Sequence, residues 1–505
     1  MPNILALDLG TTALKLLLLS ESGAVIYNDA VPYPTKFMNN GWIEQDPHEW
    51  EKALMSGIRA MLKMIPCEEI NAISFSGHMS SIVVVDLKGN PVYPCITLAD
   101  SRSELQTQFI RERFNDVILR TTNNPVLNAF TLPKLLWIKQ EKPDAYKKAA
   151  FWMSAKDYLR FLLIGQIAQD TTDSFNSLCL DIHSLDWNTE LIREIGLNIN
   201  IFPEILLPYQ KAGQVSQHAS DLTGLKQGTP VYAGGADMAC AGVSMGMNNP
   251  GDASISLGTN APFMMIVEKT YPEYSGAITY HVGAQKGTVY ALGSHFSGGA
   301  AVNNFAKTFS ADGSIDYKLI QELSEKAFSI SPGSDGVSTL PFFVGSGSPY
   351  FRPDDRGTVV GLSASTSKAH LFRSLLEGIT LNMRQTYDMF RSLSGGNSLN
   401  ISLFGGGTKI PVWPQLFADI FGIQVRVVSN PDASAIGAAL LGGFGAGIFH
   451  DLTSATQAML SNGTVIPNSA EYSLIYEQQY EKYKRLYDTM RPFYEYCSNS
   501  GGDVK

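Results

Sequence analysis

Two segments, ILALDLGTTALKLLLL at 4–19 and ASISLGTNAPFMMIV at 253–267, each place a short Gly-Thr turn between two apolar runs. Glycine lets the backbone come close to a ligand and lets successive N–H groups point one way, and threonine hydroxyls add donors. Such a tip suits phosphate oxygens. Asp8 stands just before the first tip, where a carboxylate would hold Mg2+ or its waters, and Lys15 follows where a cation would offset phosphate charge. A single Gly-Thr turn is commonly only a turn. Two copies, the first flanked by Asp and Lys, favour phosphate binding. A third cluster, LFGGGTKIPVWPQLFADIFG at 403–422, puts three glycines after the strand-like NISLF. It reads either as a flexible loop or as close backbone approach to a flat or phosphorylated ligand. Asp237, in VYAGGADMACAG, follows a strand-like run and two glycines and opens a run of small residues. It is either an ordinary helix N-cap or a carboxylate projecting from a strand end as a general base. No Walker A sequence occurs, which excludes P-loop chemistry.

The elements that must position these residues follow from the pattern. NILAL reads as a strand buried on both faces, and ALKLLLLS follows after too few residues for a helical crossover, so the two pair as an antiparallel hairpin. AVIYNDAV is a third strand. The segment 253–267 repeats the opening. Elsewhere strand-like runs (INAISFS, PVYAGG) precede helical patterns, and Leu371, Leu375 and Ile379 mark the apolar stripe of a core-facing helix. The class is α/β, each half opening on a β-meander, with a boundary near GMNNPGD at 246–252. The domains expected are 1–248 and 249–495, with a disordered tail at 496–505.

The chain's 505 residues are too many for one core and predict two domains of roughly 250 residues, with three as the alternative. A composition of 44% hydrophobic and 17% charged residues is that of an ordinary soluble protein. The net charge of −9, without a basic block, argues against nucleic acid as a partner. Five scattered cysteines with no CxxC pair suggest neither disulfides nor zinc, and fit a reducing cytoplasm. Asp8 interrupts any signal-peptide core, and the longest uncharged stretch, 433–449, is short for a membrane span and reads as a closely packed helix. A cytoplasmic location without membrane contact is expected.

DLGTTALK, GWIEQDP, TLPKLLW, AGGADMACAGVSMG, SLGTN, RGTVVGL…HLFRSLLEG and FGGGTKIPVWPQLFAD stand in the order found in the FGGY carbohydrate kinases, and the chain resembles their xylulokinase-like branch from about residue 4 to about 450. The resemblance implies two actin/Hsp70-like, ribonuclease-H-type domains flanking an ATP/sugar cleft. It implies transfer of the ATP γ-phosphate to a hydroxyl of a small sugar or polyol, with Asp237 as the base. By the same resemblance Asp8 would organise Mg2+. Thr11, Thr12 and Lys15 would face the phosphates, Gly258, Thr259 and Asn260 would clamp them from the other domain, and Gly406 and Gly407 would lie along the nucleotide. SFSGHMSSIVVVD (74–86) and LADSRSE (98–104) match sugar-pocket elements, which makes Gly77, His78, Met79, Asp100 and Arg102 the candidate acceptor contacts. Trp42 is expected to pack rather than to stack on sugar. The resemblance also admits a homodimer.

The specificity residues are mixed. Where xylulokinases read Gln-Met-His-Gly, this chain has His78-Met79-Ser80-Ser81, and Leu98 replaces a Trp. GSGSP (345–349) departs from their Gly-Glu-Arg-Thr-Pro loop, and PYFRPDDRG (349–357) resembles glycerol kinases, whose Gln-Arg-Glu near residue 80 is absent. CITLADSRSE resembles gluconate kinases, with Arg102 as the cation for an acidic sugar. D-xylulose is the leading acceptor, and gluconate or another ketopentose or polyol is the alternative. A non-catalytic, nucleotide-dependent sugar sensor is the reading from a different class.

Overall fold

In the first sheet, Asn3–Leu9 (β1) meets Ala13–Ser20 (β2) as an antiparallel hairpin, with Asp8 opposite Lys15. Val25–Pro32 (β3) continues the meander on β2. Ile70–Gly77 (β4) pairs parallel to the other edge of β1. Lys211–Gln214 (β5), Pro230–Tyr232 (β6) and the two-residue Gly235–Ala236 (β7) complete the sheet, in the order β5-β6-β4-β1-β2-β3 with β7 also on β4. β1 carries an unbroken apolar run because both its faces are covered. Leu5, Leu7 and Leu9 join Trp50, Leu54 and Ile58 of the helix Pro47–Met61 in one core. On the opposite face Ile4 meets the helix Ala433–Gly445, whose glycines let it come close.

The coordinates are a computed structural model, which describes residues 2–38, 40–310, 312–429, 432–460 and 463–500. They divide into two compact units. The first comprises Met1–Asn248, Tyr280–Val289 and Asp432–Ser461; the second comprises Asn249–Thr279, Tyr290–Pro431 and Asn462–Lys505.

The second unit repeats the order of the first. Asp252–Ser256 (β8) and Phe263–Val267 (β9) form an antiparallel hairpin at the second Gly-Thr turn. Val289–Gly293 (β10) lies beyond β9, and Asn400–Phe404 (β11) pairs parallel to β8. Val425–Val427 (β12) is parallel to β11, and Thr464–Ile466 (β13) closes the edge antiparallel. The order β10-β9-β8-β11-β12-β13 thus matches β3-β2-β1-β4-β6-β5, with the same strand directions wherever pairing directions are defined in both. The stripe of Leu371, Leu375 and Ile379 lies on the helix Lys368–Leu393, with Leu375 and Ile379 buried; its start is fixed by a Ser367/His370 capping box.

The uncharged stretch from 433 is a buried helix with no span-like length, and among the described residues no helix is long and apolar enough to cross a membrane. The last helix runs Ala470–Ser500, so residues 496–500 of the expected tail are helical, while 501–505 lie outside the described residues.

Candidate active site

The β1–β2 turn is pinned from below through its carbonyl groups. The Tyr33 hydroxyl donates to the Gly10 carbonyl, and the Thr11 carbonyl accepts from Thr35 Oγ1 at 3.0 Å and from Gln45 Nε2 at 2.8 Å. Thr11 and Thr12 are exposed at the tip. Asp8 is buried beneath them. Ser434 Oγ donates to its Oδ2 at 2.7 Å from a position 426 residues along the chain, while Oδ1, beside the Ser76 hydroxyl, takes no well-formed hydrogen bond among the described residues. Burial raises the Asp8 carboxyl above its ordinary value, partly offset by Ser434 and Lys15. Lys15 Nζ is 3.1 Å from Asp432, so the cation expected to face phosphate already shares its charge with a carboxylate. Ser434 and Asp432 went unseen in the sequence. They open a helix that looks merely apolar, and nothing local ties them to β1.

Asp237 comes from β7, whose Gly235 and Ala236 register with Ser76 and Gly77 at the end of β4. It is the first residue of the helix Asp237–Ser244, and Ala236 holds the cap position, so the N-cap alternative does not apply. The residue is half-buried, and its Oδ1 accepts the Met238 N–H at 2.8 Å. Burial and then the neighbouring Asp8 charge push it up to about 7, and the N–H groups of Met238 and Met79 pull the other way. A carboxylate poised there is suited to accept a proton near neutral pH.

The candidate acceptor contacts separate into two groups. His78 and Met79 stand at the end of β4, beside the base. The His78 ring packs edge-on against Trp50, its Nδ1 lies 2.6 Å from Ser81 Oγ, and burial lowers it to about 4, so it is neutral. Gly77 is glycine for a steric reason, since a Cβ would stand 3.0 Å from that of Lys156 and 3.2 Å from Leu9. Asp100 and Arg102 instead close on each other. The guanidinium spans both Asp100 oxygens at 2.8 and 2.7 Å, reaches Glu44 at 2.7 Å, and lies against the Trp42 and Trp137 rings. Asp100 also accepts the Ile43 and Arg102 N–H groups. Both side chains have zero exposure. Trp42 packs edge-on to Trp137, as expected.

A further buried group was not legible in the sequence. Lys156 Nζ lies 2.8 Å from Asp157, 2.6 Å from Asp170 and 3.5 Å from Asp173. The three carboxylates gather closely enough to suggest a metal, but the lysine ammonium already supplies the cation.

In the second unit, the β8–β9 turn, the glycine cluster and two helices enclose a cavity of about 710 Å3. Gly258 and Thr259 line one end. Gly299 N–H donates to the Gly258 carbonyl at 2.6 Å, joining the turn to the helix Gly299–Phe309. The three glycines have different roles. Gly405 has φ +93°, and Gly407 excludes a side chain because a Cβ would lie 2.7 Å from Trp413 and 2.8 Å from Leu257. Gly406 has open space where a Cβ would stand. The walls are apolar at Val302, Ile320 and Ile410 and polar at Asn303, Gln321 and Glu325, and the buried Ser324 hydroxyl has no hydrogen-bond partner among the described residues. A cavity of this size, with apolar walls, several polar side chains and open space over Gly406, has the character of a small-molecule site.

Models of the FGGY family of carbohydrate kinases match the chain twice: the N-terminal domain over residues 3–244 and the C-terminal domain over 253–446. The xylulose kinase of Lactococcus lactis is 31% identical, over 96% of this chain and 97% of its own. The gluconokinase of Bacillus subtilis is 27% identical, over 88% of each chain. Among solved structures, a xyloylose kinase from Brucella ovis superposes with a TM-score of 0.86 at 26% identity, covering 97% of this chain and 99% of its own.

Proposed function

The chain belongs to the FGGY family of carbohydrate kinases, and on that premise we propose that it transfers the γ-phosphate of ATP to a hydroxyl of a small neutral sugar, D-xylulose before others. The observation that carries the chemistry is Asp237: a half-buried residue at a strand end, its carboxylate raised to about 7 and held by two backbone N–H groups. Phosphoryl transfer asks little covalent chemistry of the protein beyond positioning, charge stabilisation and removal of the attacking hydroxyl's proton. Asp237 would take that proton. In the second unit the nucleoside would occupy the cavity over Gly406 and Gly407, with Gly258, Thr259 and the following Asn260 as candidate phosphate contacts. In the first unit the candidate phosphate contacts are the exposed Thr11 and Thr12, with Lys15 beside Asp432. Asp8 fits Mg2+ or its waters, because its Oδ1 is buried without a well-formed hydrogen bond and it stands near a second carboxylate. When bound, the cation would screen phosphate charge.

The buried cations of the first unit favour a neutral acceptor. A gluconate carboxylate needs one, and Arg102 is spent on Asp100 and Glu44, Lys156 on three aspartates, and Lys134 on the carbonyls of Asn128, Ala129 and Phe130. His78 is neutral. A polyol, which needs donors and acceptors but no counter-charge, suits this environment better. The test is a coupled ADP assay with Mg-ATP against D-xylulose, L-xylulose, D-ribulose, L-ribulose, gluconate, glycerol, xylitol and erythritol. One neutral winner supports the reading, and gluconate as best acceptor overturns its neutral part. ATP and sugar binding without turnover would favour the sensor.

A further inference from the structure

The short helix Thr171–Phe175 holds, through two consecutive residues, two backbone segments beside Asp237: Ala236, which precedes it, and Ser80, which follows Met79. Thr172 Oγ1 accepts the Ala236 N–H at 2.8 Å, one residue before Asp237. The same hydroxyl donates to Asp170, whose Oδ2 also accepts the Thr172 N–H at 2.7 Å. Since a carboxylate only accepts, the direction of the chain is fixed: Asp170 orients the hydroxyl, and the hydroxyl orients the amide. Asp173, next along, accepts the Ser80 N–H at 3.4 Å. Ser80 follows Met79, whose own N–H acts on Asp237, and it sits at φ +58°, a conformation that a non-glycine residue holds only where its surroundings fix it. Lys156 lies against both Asp170 and Asp173, so one buried ammonium supports both arms. Gly235 completes the fit, since a Cβ there would stand 3.3 Å from Thr172 Oγ1.

We propose that Thr172 and Asp173 are positioning residues for phosphoryl transfer, a two-armed clamp that fixes the backbone of Ala236, just before Asp237, and of Ser80, just after the Met79 whose N–H acts on the Asp237 carboxylate. The inference rests on the reading of Asp237 as the base. A merely structural role would be met by any contact that fills the space. The clamp instead requires a hydroxyl at 172, because an amide–hydroxyl–carboxylate relay sets direction as well as distance. The titratable groups that face Asp237 are Asp8 on β1 and Asp173 on the clamp helix, the latter itself raised to about 8 by burial against the pull of Lys156. The other elements packed on its helix, β4, β7, Ala433–Gly445 and Leu452–Leu460, carry no charge.

The experiment compares Thr172→Val, Thr172→Ser and Asp237→Asn in the full chain, by kcat, by the pH profile of kcat, by sugar binding in calorimetry and by thermal midpoint. Thr172→Val is expected to lower kcat about 10- to 100-fold, the scale of a displacement of an ångström or less at a reacting group. Sugar affinity should be kept, and the acidic limb of the profile should move to higher pH as the Met79 and Met238 N–H groups lose their alignment on Asp237. Thr172→Ser should restore both. Should Thr172→Val fail to fold, Thr172→Cys, whose thiol fills the space but accepts more weakly, is read for the same pattern. Wild-type kcat and an unmoved limb in the valine or cysteine variant would overturn the clamp. So would a serine variant as impaired as the valine one. If Asp237→Asn retains kcat, it is the base assignment that falls; if only the Thr172 variants do, the clamp alone falls.

Discussion

At the residue scale the site is a set of carboxylates whose surroundings assign different tasks. Asp237 is half-buried and raised to about 7, so kcat should fall as pH drops below that value, because a protonated carboxyl no longer accepts the hydroxyl proton. Asp237→Asn should lower kcat about 10²- to 10⁴-fold while sugar binding by calorimetry persists. The same shift sets a stability trend. The folded value lies above the ordinary 3.8, so between the two the folded state holds the extra proton and stability declines as pH rises toward 7. Asp237→Asn should therefore melt higher than wild type at pH 8, by about 1–2 °C for about 1 kcal/mol after discounting for exposure. Asp100, by contrast, has both oxygens filled by Arg102 and backbone N–H groups. Arg102→Met would strand Asp100 and Glu44, costing about 3–5 kcal/mol in a denaturant melt. Its kinetic effect should be the same for gluconate as for neutral acceptors. A selective rise in KM for gluconate would contradict the closed network.

At the element scale, the glycine cluster separates two functions that one motif merges. Gly407 is packed against Trp413 and Leu257, whereas Gly406 borders open space. Gly407→Ala should lower the thermal midpoint of the unliganded protein, because the added methyl must displace a buried ring or the hairpin backbone. Gly406→Ala should leave the midpoint unchanged and raise KM for ATP alone, since its methyl enters the cavity. Equal behaviour of the two variants would show that this cluster is not where the nucleotide lies. The hairpins follow a comparable logic. Their apolar strands fix the register, and the pinned carbonyls of Gly10 and Thr11 keep the first tip in shape.

At the scale of the whole molecule, the first unit is built from three separate stretches of chain. The helix Ala433–Gly445 packs on β1, β4 and the helix Asp237–Ser244, so closely that a Cβ at Gly442 would lie 2.6 Å from that of Ser74 and one at Gly437 would collide with the Cys240 carbonyl. A fragment ending at Asn248 lacks this helix and leaves an apolar sheet face uncovered. It should show no cooperative thermal transition by circular dichroism, and co-expression with 249–505 should restore one. A cooperative melt of the fragment alone would mean that the late helix only decorates a finished core.

The sequence by itself determined the α/β class, the doubled hairpin and the family, because each is written in local patterns: apolar runs, turn residues between them, and motifs in a fixed order. It also marked Asp8, Asp237 and the glycine cluster, whose residue types stand out where they occur. It did not reveal that Ser434 holds Asp8, that Thr172 holds the backbone before Asp237, or that Arg102 is enclosed by two tryptophans and two carboxylates. Those facts belong to the tertiary structure. A charge or hydroxyl looks the same in sequence whether it is free to meet a ligand or already satisfied, and its partners are chosen by how distant segments pack.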